Sequence, residues 1–351
     1  MPDRVLTTPH LNRTLLARQR LIERDSLPIP ATLEVIGGIQ DQYAPSGYIG
    51  LWTRLREFRR AALTEALEAR EVVQATLMRS TIHLVSRADY PLFAAGTRRF
   101  RREWWERASR SQLAPADVER AAALASTLLA NGPMRQKELQ AAFVAEGLGR
   151  LGWTSANIVL DLVRVPPSGT WERRRADLYG LAEAWLGPID ASEADGLDLL
   201  LRRYLEGFGP APLADAASWA GVPAAALKSS AERLGVVRYR DEAGKELLDL
   251  AGLPIPDADT PAPVRLLPVW EACLLVHARR AAVLPEQHRP VIFNTKTPHS
   301  FDTFLVDGRI AGTWRQDDGR ITLKPFDELP RRAMDELRDE ADRLEAFYAV
   351  G

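Results

Sequence analysis

The spacing of apolar and polar positions over residues 1–110 predicts four helices and a hairpin. Residues 11–24 read as a helix. Residues 28–40 carry a second, capped near Thr32, with Leu33, Ile36 and Ile39 on one side. Residues 49–55 and 63–69 are two more, and 72–85 alternate around Ser80 as a hairpin does. The plan then recurs. An amphipathic helix over 115–130 ends at Asn131-Gly132, and Pro133 opens an element with Leu139, Ala142 and Phe143 at helical spacing. Residues 155–163 form a further helix, and 162–165, a Pro166-Pro167-Ser168-Gly169 turn and 170–172 read as the hairpin. In the third stretch a helix over 194–207 ends at Phe208-Gly209. Pro210 opens an element carrying Leu213, Ala216, Ala217 and Trp219, 224–234 is helical, and 236–240 and 245–250 alternate around 241–244. Matched Gly-Pro punctuation marks internal repetition. Helices followed by a short hairpin are the winged-helix plan, a variant of helix-turn-helix.

Beyond residue 263 the pattern changes. Strands are expected at 264–268, 291–293, 303–308, 310–314 and 321–326, with hairpin turns at Asp307-Gly308 and Asp318-Gly319. A charged amphipathic helix, 332–349, follows. The expected class is α+β: three tandem winged-helix units (1–110, 111–190, 191–262), a small antiparallel β-sheet or partial barrel (263–330) and a C-terminal helix (331–351).

Composition adds mainly exclusions. With 351 residues, 46% hydrophobic and 26% charged, the chain is an ordinary globular mixture. Its one cysteine, Cys273, excludes a disulfide framework or a Cys-based zinc site within the chain, and reads as a buried small hydrophobe in a strand-like run over 272–276. The histidines (His10, His83, His277, His288 and His299) lack metal-ligand spacing, and neither a phosphate-cradling Gly-rich loop nor a Gly-x-Ser-x-Gly elbow occurs. No metal or cofactor is therefore expected. No apolar run approaches the roughly 18 to 20 residues that span a bilayer, and the N-terminus has no signal-like apolar core, so a cytoplasmic protein is expected. The net charge of −1 argues against a globally basic nucleic-acid binder. Local patches differ: Arg98, Arg99, Arg101 and Arg102 crowd one stretch, and Arg173, Arg174 and Arg175 another.

Several stretches resemble one family: Leu11-Asn12-Arg13, Gly38-Ile39-Gln40-Asp41-Gln42, Gly50-Leu51-Trp52-Thr53-Arg54-Leu55, residues 77–86 and residues 306–315. Together, in matching order over nearly the whole chain, they resemble the winged-helix alkylpurine DNA glycosylases of the AlkZ type. That resemblance implies a C-shaped protein of tandem winged helices with a β-barrel. It also implies excision of N7-alkylated purines from double-stranded DNA without metal or cofactor, in repair or in self-resistance to an alkylating natural product. A monomer is expected, since three units in one chain reduce the need to dimerise. The family carries Gln-x-Gln, or Gln-x-Asp in a sister branch. Gln40 and Gln42 match the first form, while Asp41 stands where a small or apolar residue is commoner.

The residues support this chemistry in their own right. Glutamines two apart lie on opposite faces of a helix but share one face of extended backbone. An amide can hold a water, offering an acceptor and two donors, yet takes no proton at neutral pH. General-base help is worth about 10² to 10⁴ in rate, so a site without a base suits a leaving group that departs easily. A purine alkylated at N7 is cationic and leaves as a neutral base. Asp41 could lend negative charge or act as base, but extended backbone would turn it away from the glutamines. In the first hairpin Thr81 and His83 share a side and are candidate pocket residues. Arg54, Arg79 and the two arginine clusters are candidate phosphate contacts. A hairpin around 294–300, with Lys296 and His299 at its tip, is the candidate minor-groove probe. Trp104 and Trp105 read as packing residues. The competing class is a winged-helix transcriptional regulator that binds DNA without chemistry, because fold alone does not assign function.

Overall fold

The computed structural model describes residues 4–275, 281–293 and 301–349. The chain is α+β, and its described residues form three open sheets that are antiparallel except for one parallel edge pair. The first region runs β1 (Val5–Leu6), α1 (Thr8–Arg18), α2 (Ile29–Ile36), β2 (Ile39–Gln40), α3 (Ala44–Trp52), α4 (Arg60–Glu68), β3 (Val72–Thr76), β4 (Ile82–Ser86) and the long α5 (Tyr90–Ser109). The first helix stops six residues earlier than expected, since Arg20 adopts a left-handed backbone with φ 57°. The second ends at Gly37, also left-handed.

Next come α6 (Pro115–Leu129), β5 (Met134–Arg135), α7 (Gln136–Ala145), α8 (Gly149–Val159), β6 (Leu162–Arg164), β7 (Leu178–Leu181) and α9 (Ala182–Leu186). Here the expected hairpin is corrected. The strand returning against β6 is β7, not residues 170–172. Residues 165–177 form a loop folded around Ser168, whose hydroxyl accepts from the backbone N–H of Asp177 at 2.7 Å and Leu178 at 3.0 Å. The first two wings also fuse, because β6 pairs with β3 in a six-stranded sheet ordered β2-β4-β3-β6-β7-β5.

The third region holds α10 (Glu193–Phe208), α11 (Leu213–Ala220), α12 (Lys228–Arg233), β8 (Val237–Asp241) and β9 (Glu246–Asp249), with β1 joined in parallel to β8. The fourth holds β10 (Arg265–Leu267), α13 (Ala272–Leu275), α14 (Arg289–Ile292), β11 (Thr303–Val306), β12 (Arg309–Asp317), β13 (Arg320–Pro325) and α15 (Arg331–Ala349). Among the described residues its four strands make an open sheet, not a closed barrel. Two strand expectations are corrected: 272–276 is largely α13, and Val291 and Ile292 end α14. Both are short apolar runs, which periodicity alone does not divide between helix and strand. Cys273 is buried.

The β2-β4-β3 layer lies between two cores. Val73, Ala75 and Val85 face one, with Phe93, Tyr204 and Trp219. Ile39, Val72 and Leu84 face the other, with Trp52, Phe304 and Phe347. Strand alternation thus assigns each neighbouring polar residue a side. No helix among the described residues is long and apolar enough to cross a membrane.

Candidate active site

Gly37 and Gly38, both at positive φ, turn the chain out of α2 and into β2. A Cβ on Gly38 would fall 2.9 Å from the Leu84 carbonyl oxygen, so only glycine lets β2 lie this close to β4. In the antiparallel register Gln40 is opposite His83 and Ile39 is opposite Leu84. The glutamine motif therefore starts on a strand, not at a helix end: Gln40 closes β2, and Gln42 lies in the bend that leads into α3.

Alternation turns Asp41 to the far side. Its carboxylate accepts from the Gly47 N–H at 3.0 Å and from the Gln74 side-chain amide. Burial pushes this carboxyl up to about 8, against the pull of those two donors. It is thus committed to Gly47 and Gln74, on the face of the strand away from Gln40.

On the near side, Gln40 is buried and Gln42 exposed. Gln40 Oε1 accepts from Arg79 Nη2 at 2.6 Å, and Gln42 Oε1 accepts from the Ile82 N–H at 2.9 Å. Guanidinium and backbone N–H groups only donate, so the amide atoms facing them must be oxygens. Each NH2 is then the end turned away from its anchor.

His83 is only 2% exposed. Its Nδ1 lies 3.0 Å from the Thr81 carbonyl oxygen, which only accepts; Nδ1 therefore carries the proton and Nε2 a lone pair. Burial first, and the nearby Arg79 charge second, lower this imidazole to about 3, so it stays neutral at physiological pH. Thr81 turns its hydroxyl back to the Met78 carbonyl at 3.0 Å and closes the turn.

Arg79 and Ser80, at the tip of the first wing, have φ of 53° and 57°. The Arg79 guanidinium spans from Gln40 to the Trp219 carbonyl at the end of α11. Burial holds it down to about 10, which leaves it charged at neutral pH. Among the described residues it makes no ion pair with a carboxylate, unlike buried Arg18, Arg54 and Arg101. The turn lies against Gly221, where a Cβ would meet the Arg79 backbone nitrogen at 2.7 Å. Beside it opens a cavity of about 420 Å³ lined by Arg79, Ser80, Phe100, Trp104 and Arg107. Trp105 is buried, but Trp104 is 48% exposed, which corrects the expectation that both pack.

Other candidate residues are placed differently. Arg54 is not a surface cation: it is sealed inside, pairing with Glu271 at 2.7 Å and donating to Gly50 O and Gln19 Oε1. Arg101 is also buried and holds Ile158 O and Asp161. Arg98 shares Asp161, Arg99 pairs with Glu193 and Glu103, and Arg102 pairs with Glu106 and Glu119. The expected cationic stripe is thus a set of ties from α5 to neighbouring elements. Arg173, Arg174 and Arg175 are exposed on the loop after β6, and Arg174 donates to the Tyr43 hydroxyl at 3.0 Å, one residue beyond Gln42. Lys296 and His299 lie outside the described residues. Sequence reasoning missed Gln74, whose signal was an amide inside the apolar run Val72-Val73-Gln74-Ala75. It also missed the Trp219 carbonyl, which has no sequence signal. Among the described residues no three His, Cys, Asp or Glu side chains gather as metal ligands.

Two comparisons give the family and the fold's likeness. The profile of a family described as "DNA glycosylase AlkZ-like" matches residues 33–347. The fold is similar to that of Streptomyces sahachiroi DNA glycosylase AlkZ, with a TM-score of 0.80, 18% sequence identity and 97% of each chain covered. No curated protein matches the sequence.

Proposed function

The chain belongs to the AlkZ-like DNA glycosylase family, a DNA-repair enzyme by that membership, and from that premise we propose that it hydrolyses the N-glycosidic bond of N7-alkylated purines in duplex DNA. Gln40 and Gln42 hold the attacking water. What supports this reading is the polarity of the two amides. Their oxygens are anchored by Arg79 and Ile82, so their NH2 groups are free to donate to a water oxygen. Such a water accepts from one of the two amides through one lone pair and turns the other to C1′, while the second amide accepts a water hydrogen through the remaining lone pair of its oxygen. The one carboxylate in the motif is buried on the opposite face. A site with no strong base is suited to a purine that already carries positive charge, because its departure as a neutral base supplies most of the driving force. Arg79, with no carboxylate partner among the described residues, and the exposed Arg173 to Arg175 are among the cations that would meet DNA phosphates.

The test is base release from a duplex carrying N7-methylguanine, read as strand breaks after alkali treatment. The wild-type protein is expected to break strands above the spontaneous rate. The double variant Gln40→Ala, Gln42→Ala is expected to be slower by about 10² or more while keeping its melting temperature within a few degrees. Equal rates for the two proteins would overturn the assignment of the water to the glutamines.

A further inference from the structure

We infer that His83 Nε2 is the hydrogen-bond acceptor for the attacking water and the atom through which that water's proton leaves. This rests on the hydrolytic reading above and adds the group that reading lacks. In an antiparallel pair, opposed residues have Cβ atoms about 5 Å apart on one face, and His83 is the residue opposed to Gln40. Its Nδ1 is committed to the Thr81 carbonyl. Its Nε2 makes no hydrogen bond among the described residues, yet it is not one of the polar atoms sealed from solvent. The near side of the site is otherwise made of donors or of oxygens that cannot carry a proton. Arg79 only donates, and the Thr81 hydroxyl is turned to Met78. The Gln40 and Gln42 oxygens, even with a second lone pair each, are amide oxygens. Asp41 is on the other face.

The step balances as follows. The water oxygen bonds to C1′ while the C1′–N9 bond breaks, and that electron pair passes into the alkylated purine and cancels its positive charge. The new C1′ oxygen then holds two hydrogens and a positive charge. One of these protons passes to His83 Nε2 and on to solvent, leaving a neutral hemiacetal and a neutral base. An imidazole lowered to about 3 is too weak to deprotonate free water. A protonated hemiacetal is a far stronger acid, so such an imidazole suffices at that stage, and because it stays neutral it does not repel the cationic purine.

The experiment compares wild type with His83→Asn, whose side-chain amide can replace Nδ1–H at the Thr81 carbonyl but places no acceptor where Nε2 was. At saturating N7-methylguanine duplex, single-turnover release is expected to fall about 10²-fold. Affinity for an undamaged duplex of the same sequence is expected to stay within about three-fold, which a merely structural role would not produce. Release at the wild-type rate by His83→Asn overturns the inference. A second measurement stands even if the variant does not fold. The imidazole ¹⁵N spectrum of wild type should show a protonated Nδ1 and a bare Nε2, and the bare signal should shift on adding undamaged duplex; a protonated Nε2 overturns the inference. The failures are separable. If wild type releases no base, the hydrolytic reading falls. If wild type works, the glutamine variant does not and His83→Asn does, only the histidine's part falls.

Discussion

The first wing (β3–β4) and the third (β8–β9) are both short antiparallel hairpins, but they meet the same backbone demand in opposite ways. Each turn needs residues at positive φ. The third wing uses Gly244, φ 76°, and stands in solvent: a Cβ there would meet nothing within 4 Å. Its turn is closed locally by the Asp241 carboxylate, which accepts from the Ala243 and Lys245 N–H groups at 2.9 and 2.8 Å. The first wing places Arg79 and Ser80 in the left-handed region, where a side chain costs about 1–2 kcal/mol. It also packs its tip onto Gly221 and ties it to the Trp219 carbonyl. The strained hairpin is the one that brings a guanidinium to Gln40, and the relaxed hairpin carries no candidate site residue. Left-handed backbone is not confined to this turn, since Arg20, Glu57, Arg70 and Asp318 adopt it too; what sets the first wing apart is that its strained tip is packed against α11 and tied to Gln40.

Swapping glycines should break the comparison most. Gly221→Ala adds a methyl group 2.7 Å from the Arg79 backbone, at a φ of 75° that already disfavours alanine. The wing tip must move, and Arg79 and Gln40 with it. Misplacement of about 1 Å costs on the order of 10²-fold in rate, and that is the expected loss of N7-methylguanine release. Gly244→Ala meets the same backbone penalty, about 1 kcal/mol by thermal melt, but should leave release unchanged. Similar rates for the two variants would mean that the first wing's packing is not what holds the site.

Charge gives a smaller, cleaner contrast. Arg79→Met removes a cation with no carboxylate partner among the described residues. DNA affinity should weaken about ten-fold at low salt, and the slope of log affinity against log salt should drop by about 1, the signature of one phosphate contact. Arg238→Met, on the third wing, removes an exposed cation paired with Glu246 at 3.1 Å. Its effect on affinity should be under about two-fold and its salt slope unchanged. An unchanged slope in Arg79→Met would make that arginine purely an anchor for Gln40.

Much of this was legible in the sequence, and the gaps have physical causes. Repeating helical stretches, the first and third hairpins and the terminal helix follow from periodicity and turn chemistry. The second wing was misplaced because the Ser168 hydroxyl stabilises a loop by contacts to residues 177 and 178, and no local pattern encodes them. Extended backbone at Gln40 follows from pairing with β4, a long-range contact. The arginines show the same limit. A run of basic residues in a sequence has no visible partners, and Arg101 finds Asp161 sixty residues away. The turn of Asp41 away from the glutamines was readable conditionally, as soon as the strand was granted.

That buried carboxyl supplies the last contrast, between the two faces of the first wing. Asp41 sits under β3 with Gln74, and burial holds it near 8, far above the ordinary carboxyl value of 3.8. The folded chain therefore keeps a proton that the unfolded chain has lost over the interval between those values. Since the folded state binds more protons there, stability falls as pH rises from about 4 to about 8. Asp41→Asn removes this fall and retains a neutral amide for Gly47 and Gln74. The melting temperature of the variant relative to wild type should thus rise with pH across that window, with the variant ahead at pH 8. Its base release should stay within a few-fold of wild type, because Asp41 faces away from Gln40. Loss of release in Asp41→Asn by 10² or more would instead place the carboxylate on the glutamine side during the reaction, and the two faces of the strand would no longer have separate tasks.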